Sequence, residues 1–228
     1  MLCLSIFCFP NIGERVRNGE RIQFNELLTL IKKIISTVTI PVSIDVESGF
    51  SENEKIVTEN ILKIADLGAV GINIEDSLKV APGLKDKDKH CELIEKIRTM
   101  LDKHGYNKFF INARTDTYFL QNDPLEETID RSISYINSGA DGIFVPGLYQ
   151  CDEIKKLAES IGAPLNVMSL PNLTDANSLN KLGVKRFSIG NAFSDSIISS
   201  IEDKAQILAT QKNTESLYTH CKVKTSFK

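Results

Sequence analysis

Two carboxylates stand one residue apart, Asp45 and Glu47, in the run Pro41-Val-Ser-Ile-Asp-Val-Glu-Ser-Gly-Phe50. The apolar residues before them read as a strand, and side chains at i and i+2 of a strand leave by the same face. Both acids are therefore expected to point into one space, where they either bind a cation or share a proton. Gly49 follows and lets the chain turn out of the strand. The device recurs: Asn73 with Glu75 and Asn112 with Arg114 close two further apolar runs. Three such polar pairs at the same end of consecutive parallel strands read as a site.

Charge then decides the chemistry. Asp45, Glu47 and Glu75 would repel one another in a low-dielectric mouth, so a cation is expected among them. Oxygen donors with no nearby His or Cys select a hard ion, Mg²⁺ or Mn²⁺ rather than zinc. Mg²⁺ commonly keeps waters, so some of these acids are expected to act through water. Arg114 is expected across the pocket as a fork for a substrate carboxylate or phosphoryl group. A metal with an arginine suits a small 2-oxo acid, whose carbonyl and carboxylate chelate the ion while the enolate forms. Asp45, Glu47 and Arg114 are thus the candidate catalytic residues, and Asp45, Glu47 and Glu75 the candidate metal ligands. Arg114, Asn73, Asn112 and Asn166 are the candidate substrate contacts, with Ser188 beside Asn166 at the ends of the last two strands. Asp116 reads either as an orienter of Arg114 or as a solvated loop acid.

Positioning these residues takes a repeated strand and helix unit. A first strand is expected within residues 1–10, a polar turn over 11–21, and a helix from Phe24 to just before Pro41. That helix carries Phe24, Leu27, Leu28, Ile31, Ile34 and Ile35 at spacings of three and four. Strands follow at 42–46, 70–74, 109–113, 142–145, 165–168 and 186–189. Helices alternate with them from Glu54, then at 89–103, 125–138, 152–161, 175–182 and 193–211. The helix from Glu54 is expected to bury Ile56, Ile61, Ile64, Ala65 and Leu67. Four helix-to-strand junctions carry a glycine stop at Gly68, Gly139, Gly162 and Gly183. Such alternation makes a parallel sheet covered by helices. Polar strand ends and the lack of a glycine-rich phosphate loop after the first strand favour a (β/α)₈ TIM-type barrel over an open dinucleotide-binding sheet. The units number one short of the eight that a complete barrel needs.

Composition bounds the rest. No Gly/Ser/Pro-rich linker divides the 228 residues, so a single domain over 1–228 is expected, with 212–228 as a C-terminal tail. A net charge of −3 argues against nucleic acid or an anionic membrane as the main partner. The apolar start is too short to span a bilayer. Five scattered cysteines (Cys3, Cys8, Cys91, Cys151, Cys221) form no CxxC pair and read as reduced thiols of a cytoplasmic protein. Cys91 reads as structural. His90, His104 and His220 have no ligand spacing and read as surface or loop residues.

Five runs in order resemble the isocitrate lyase and phosphoenolpyruvate mutase superfamily. They are Pro41 to Phe50, Gly71-Ile-Asn-Ile-Glu75-Asp76-Ser77, Ile111-Asn-Ala-Arg114-Thr-Asp116, Gly139 to Gly147 and Leu182 to Gly190. The resemblance implies a (β/α)₈ barrel of the phosphoenolpyruvate-binding kind, Mg²⁺ dependence, and cleavage or formation of C–C or P–C bonds through an enolpyruvate intermediate. It implies that Asp45 contacts the metal, that Glu47 and Glu75 hold it largely through water, and that Arg114 binds the substrate's anionic end. Homo-oligomers, dimeric or tetrameric, that exchange the helix from Phe193 onward are implied as well. The Lys-x-Cys-Gly-His loop of the lyases is absent. In its place stands a lysine-rich segment with Lys79, Lys85, Lys87 and Lys89, read as a mobile lid or a solvated loop. This disfavours a 2-methylisocitrate or isocitrate lyase and points to the mutase-like branch, which includes oxaloacetate decarboxylases and phosphonopyruvate hydrolases. Family barrels have two units before the strand bearing Asp45, so this barrel is expected to lack its first strand-helix unit. A non-catalytic remnant that keeps metal binding is the reading from another class.

Overall fold

The computed structural model describes residues 2–4, 22–78 and 82–218. Seven parallel strands lie side by side in chain order. They are β1 (Leu2–Leu4), β2 (Val42–Asp45), β3 (Gly71–Glu75), β4 (Phe110–Arg114), β5 (Gly142–Val145), β6 (Leu165–Met168) and β7 (Val184–Ser188). The helices are α1 (Phe24–Thr37), α2 (Glu54–Asp66), α3 (Lys87–Lys103), α4 (Thr117–Leu120), α5 (Leu125–Asn137), α6 (Cys151–Ile161), α7 (Ala176–Lys181), α8 (Ala192–Gln211) and α9 (Glu215–Tyr218). Sequential parallel strands need a crossover between each pair, and the helices supply it. The expected barrel-type α/β order is thus realised. The rest of the expected 1–10 strand, the 11–21 turn, Lys79 and His220 lie outside the described residues.

The two faces of each strand differ in kind. Ile44, Ile72, Ile74, Ile111, Ala113, Ile143, Val145, Leu165 and Val167 alternate along the sheet and are buried in one core with the helices. Each large side chain of this set contributes about 1.5–3 kcal/mol by leaving water. The intervening positions carry Ser43, Asp45, Asn73, Glu75, Asn112, Arg114 and Asn166. Most of this polar face is satisfied internally: Asp45, Asn73 and Asn112 bond in one line, Glu75 pairs with Arg114, and Asn166 bonds to Ser188. Deeper on this face Arg186 lies over the Phe110 ring at 4.6 Å. Gly142 leaves room for that ring: a Cβ there would come within 2.9 Å of Phe110 Cζ.

Helix ends follow local chemistry. Asn53, Asp86 and Asp175 each accept a backbone N–H in the first turn of α2, α3 and α7, worth about 1 kcal/mol apiece. The four expected glycine stops all take positive φ.

Strands β3 and β4 run one residue further than expected, to Glu75 and Arg114, because these two residues pair in register. Strand β7 begins at Val184 rather than Arg186. Ile56 is 45% exposed, and Val57 is buried in its place. The reason is the turn before α2, where Gly49 has φ +104° and a Cβ would lie 2.4 Å from Val57 Cγ1. That turn packs directly on Val57 and sets the face of the helix. His90 is not a surface residue: it is fully buried in α3, edge-on to Tyr135 at 4.8 Å. His104 is exposed, as expected. The short helices α4 and α9 have four residues each, too few to show a period in the sequence.

Contacts cluster into two compact units, Met1–Ser188 and Ile189–Lys228. The first contains the sheet and the site. The second contains α8 and α9, and none of the α8 residues is buried. Among the described residues, no helix is long and apolar enough to cross a membrane.

Candidate active site

Strand register sets the candidate residues in two rows. In the first, Asp45 pairs with Asn73 and Asn73 with Asn112. Asn112 Nδ2 donates to Asn73 Oδ1 at 2.9 Å, and Asn73 Nδ2 donates to Asp45 Oδ2 at 3.1 Å. The Glu47 N–H donates to Asp45 Oδ1 at 3.0 Å. Two amides and one carboxylate can form this line without repulsion. Three carboxylates at this spacing could not all ionise.

Glu47 is not a strand residue. Strand β2 ends at Asp45, and Glu47 sits in the following turn with φ +50°. A left-handed conformation is uncommon outside glycine and marks a backbone that its surroundings over-determine. Here the Glu47 carbonyl accepts the Glu75 N–H at 2.8 Å and Gly49 N–H bonds to Val46 O at 2.8 Å. The tip of β2 is thereby tied to β3, but strand alternation does not aim the Glu47 side chain.

The second row is Glu75, Arg114, Phe144, Asn166 and Arg186. Arg114 stands beside the acids rather than across from them. Its Nη1 lies 2.9 Å from Glu75 Oε2. Nε and Nη2 donate to the two oxygens of Asp116 at 2.7 and 3.0 Å. Ser77 Oγ also donates to Asp116 Oδ2. Burial works against the guanidinium charge, but Glu75, Asp116 and Asp45 outweigh it and hold the Arg114 pKa above its ordinary value. Asn166 is buried on β6 and exchanges hydrogen bonds with Ser188 at 3.1 and 3.2 Å. Its side chain bonds to β7 rather than to Asp45 or Arg114.

The donor set is compatible with a hard cation. Asp45 accepts one N–H at each oxygen, and a carboxylate oxygen has a second lone pair. Among the described residues no three of His, Cys, Asp and Glu converge closely enough to enclose a metal by themselves. An ion held here would have Asp45 as its direct carboxylate and would need a shell completed by water, a coordination that Mg²⁺ accepts.

Sequence reasoning missed the group behind the site. Asp76 is fully buried and its Oδ1 accepts the Asp116 N–H at 3.1 Å. Its Oδ2 accepts from Tyr135 Oη at 2.7 Å and pairs with Arg131 Nη1 at 3.4 Å. Arg131 also donates to the carbonyl of Lys85 at 3.0 Å and to Glu127 Oε1 at 2.7 Å. Burial pushes the Asp76 carboxyl above its ordinary value, opposed by the Tyr135 and Asp116 hydrogen bonds and the Arg131 charge. Burial, with the charges of Lys85 and Arg131, lowers the His90 pKa to about 3. The available signal was Arg131 itself, a charge on the buried face of α5 with Thr128, Ser132 and Tyr135.

An uncharacterised protein of Mycobacterium tuberculosis is 38% identical over 151 residues, covering 66% of this chain and 54% of its own. The oxaloacetate decarboxylase of Pseudomonas entomophila is 32% identical over 176 residues, covering 75% of this chain and 60% of the relative. The chain thus spans little more than half the length of these curated relatives. A crystal structure of a candidate lyase/mutase from Burkholderia cenocepacia superposes with a TM-score of 0.82 at 29% identity, covering 88% of this chain and 73% of that one. The same fold, at 20% identity and a TM-score of 0.75, occurs in a phosphonopyruvate hydrolase solved with oxalate and Mg²⁺, covering 89% of this chain and 72% of that one. The phosphoenolpyruvate phosphomutase family model matches residues 15–209, which include every strand from β2 to β7. The chain belongs to the phosphoenolpyruvate phosphomutase family.

Proposed function

We propose that this chain carries the catalytic centre of an Mg²⁺-dependent lyase or mutase acting on small 2-oxo acids such as oxaloacetate or phosphonopyruvate. The bond made or broken is C–C or P–C, next to an enolpyruvate. One observation carries the reading: a carboxylate held by two N–H donors, Asp45, and a part-buried guanidinium, Arg114, stand in adjacent rows at the strand ends. Activity of the oxaloacetate decarboxylase relative supports the same chemistry.

The residues divide the work. Asp45 would hold the ion directly, with Glu47 and Glu75 through water, and bound Mg²⁺ supplies Lewis-acid stabilisation of charge developing on the 2-oxo oxygen. Arg114 binds the substrate's anionic end. Three of its N–H groups face Glu75 and Asp116, and a guanidinium has five, so two are available for a carboxylate or phosphoryl oxygen. Asn73 and Asn112 keep the Asp45 carboxylate oriented and face the substrate, and Asn166 lines the far side. The site is tested by thermal stabilisation with Mg²⁺ and oxalate, an enolpyruvate mimic, followed by assay of pyruvate release from oxaloacetate and phosphonopyruvate. The absence of any stabilisation, or one that survives Asp45→Ala, overturns it.

A second reading, binding without turnover, is favoured by the engagement of all three Arg114 nitrogens with protein acids. Stabilisation by Mg²⁺ and oxalate with no turnover of either substrate selects it. A homo-oligomer is part of the proposal, supported by exposed Phe193, Ile197, Ile201 and Leu208 along α8. Light scattering of the full chain tests it, and a monomer overturns it. The free Cys91 and Cys151 support a reducing, cytoplasmic location.

A further inference from the structure

We propose that Asp76 is a positioning residue for Arg114, acting through Asp116 and itself held by Tyr135 and Arg131. Asp76 grips the chain from Arg114 to Asp116 at both ends. Its N–H donates to the Arg114 carbonyl at 3.2 Å, and its Oδ1 accepts the Asp116 N–H at 3.1 Å. The Asp116 carboxylate in turn forks the Arg114 guanidinium at 2.7 and 3.0 Å. A shift of the Asp116 backbone therefore moves both oxygens of this fork together, while Glu75 keeps hold of the remaining nitrogen.

The second oxygen of Asp76 locks this grip to a separate element. Tyr135 Oη and Arg131 Nη1, both on α5, meet Asp76 Oδ2, and Arg131 Nη1 also donates to Tyr135 Oη at 3.0 Å. A buried ion pair adds little net stability over a well-packed apolar pair of similar volume. What it adds here is a fixed direction. Asp76 has no route to the substrate itself, because it follows Glu75 in the chain and is fully covered by protein.

The test uses the full chain and reads Arg114 directly. Asp76→Asn keeps the volume but places an amide against two donors, Tyr135 and Arg131. In the parent protein the Arg114 Nε–H, bonded to Asp116, is expected to exchange slowly with solvent by ¹⁵N NMR. In Asp76→Asn it is expected to exchange about tenfold faster or more, as in Asp116→Asn. Tyr135→Phe, which removes one hydroxyl and keeps the ring against His90, is expected to give a smaller increase. If Asp76→Asn does not fold, Tyr135→Phe decides. Unchanged Nε–H exchange in the folded variants overturns the proposal, even if the melting temperature falls, because that pattern is a structural role alone.

The binding arm rests on the reading of Arg114 as the substrate's anion partner. Oxalate affinity with Mg²⁺ is expected to drop about tenfold in Asp76→Asn. The two readings fail separately. A parent protein that does not bind oxalate overturns the function but leaves the Nε–H result standing. Tight oxalate binding with unaltered Nε–H exchange overturns only the positioning role.

Discussion

Arg114 and Asp116 form a two-bond fork, Nε to Oδ1 at 2.7 Å and Nη2 to Oδ2 at 3.0 Å, with Glu75 on the remaining nitrogen. The positive charge among the strand-end acids is therefore supplied first by the protein. A planar fork of this kind is not interchangeable with an ammonium group. Arg114→Lys is expected to weaken oxalate binding at least about tenfold and to lower stability by about 1.5–3 kcal/mol, because an ammonium keeps the charge but not the two-bond fork. Calorimetric titration and urea unfolding measure the two effects; equal affinity for oxalate would remove Arg114 from the site.

Asp45 predicts the metal response. At a ligand concentration about a hundredfold above Kd, stabilisation reaches about 2.7 kcal/mol. For a chain of this size that is a rise of about 5–10 °C in melting temperature. The rise is expected with Mg²⁺ and oxalate together, and to vanish in Asp45→Ala. Differential scanning fluorimetry at several Mg²⁺ concentrations reads it.

His90 predicts an acid weakness. Its folded pKa is lowered to about 3 from 6.5. Between these values the unfolded chain binds the proton and the folded chain does not, so stability falls as pH drops from about 6.5 towards about 3. The groups that face it electrostatically, Lys85 and Arg131, are both cations and deepen the effect. The slope is about 1.4 kcal/mol per pH unit below 6.5. His90→Phe is expected to flatten this part of the curve while leaving the carboxylate contribution. Urea midpoints of both proteins from pH 7 to pH 4 make the comparison, and parallel curves would refute it.

Gly49 and Val57 predict a coupled pair. Gly49→Ala is expected to destabilise by about 2–3 kcal/mol, from backbone strain at φ +104° and the 2.4 Å approach to Val57 Cγ1. Adding Val57→Ala removes the clash but not the strain. The double variant should therefore lose less than the sum of the two single losses. Strict additivity in chemical denaturation would show that the turn does not press on α2.

Much of the fold was legible because it depends on neighbours in the chain. The period-3.6 stripe of Leu27 and Ile31, the apolar runs of β2 to β6, and the glycine stops are local signals. The same holds for the polar pairs Asn73 with Glu75 and Asn112 with Arg114, since alternation within a strand needs no partner. Where a local rule was extended past the strand, at Glu47, the turn with its φ of +50° replaced it. The face of α2 also escaped, because Val57 is selected over Ile56 by a turn packed against it.

The order of strands and helices and the set of polar residues at the strand ends follow from periodicity and from the conformational habits of glycine. Which charges meet depends on the folded arrangement. Asp76 and Tyr135 lie 59 residues apart, and Asp76 and Asp116 lie 40 apart. Contacts at that separation depend on strand register and on how α5 packs behind the sheet, so the sequence leaves Asp116 open between an orienter of Arg114 and a solvated loop acid. In the folded chain Arg114 is held between Glu75 and Asp116, with Asp76 behind them.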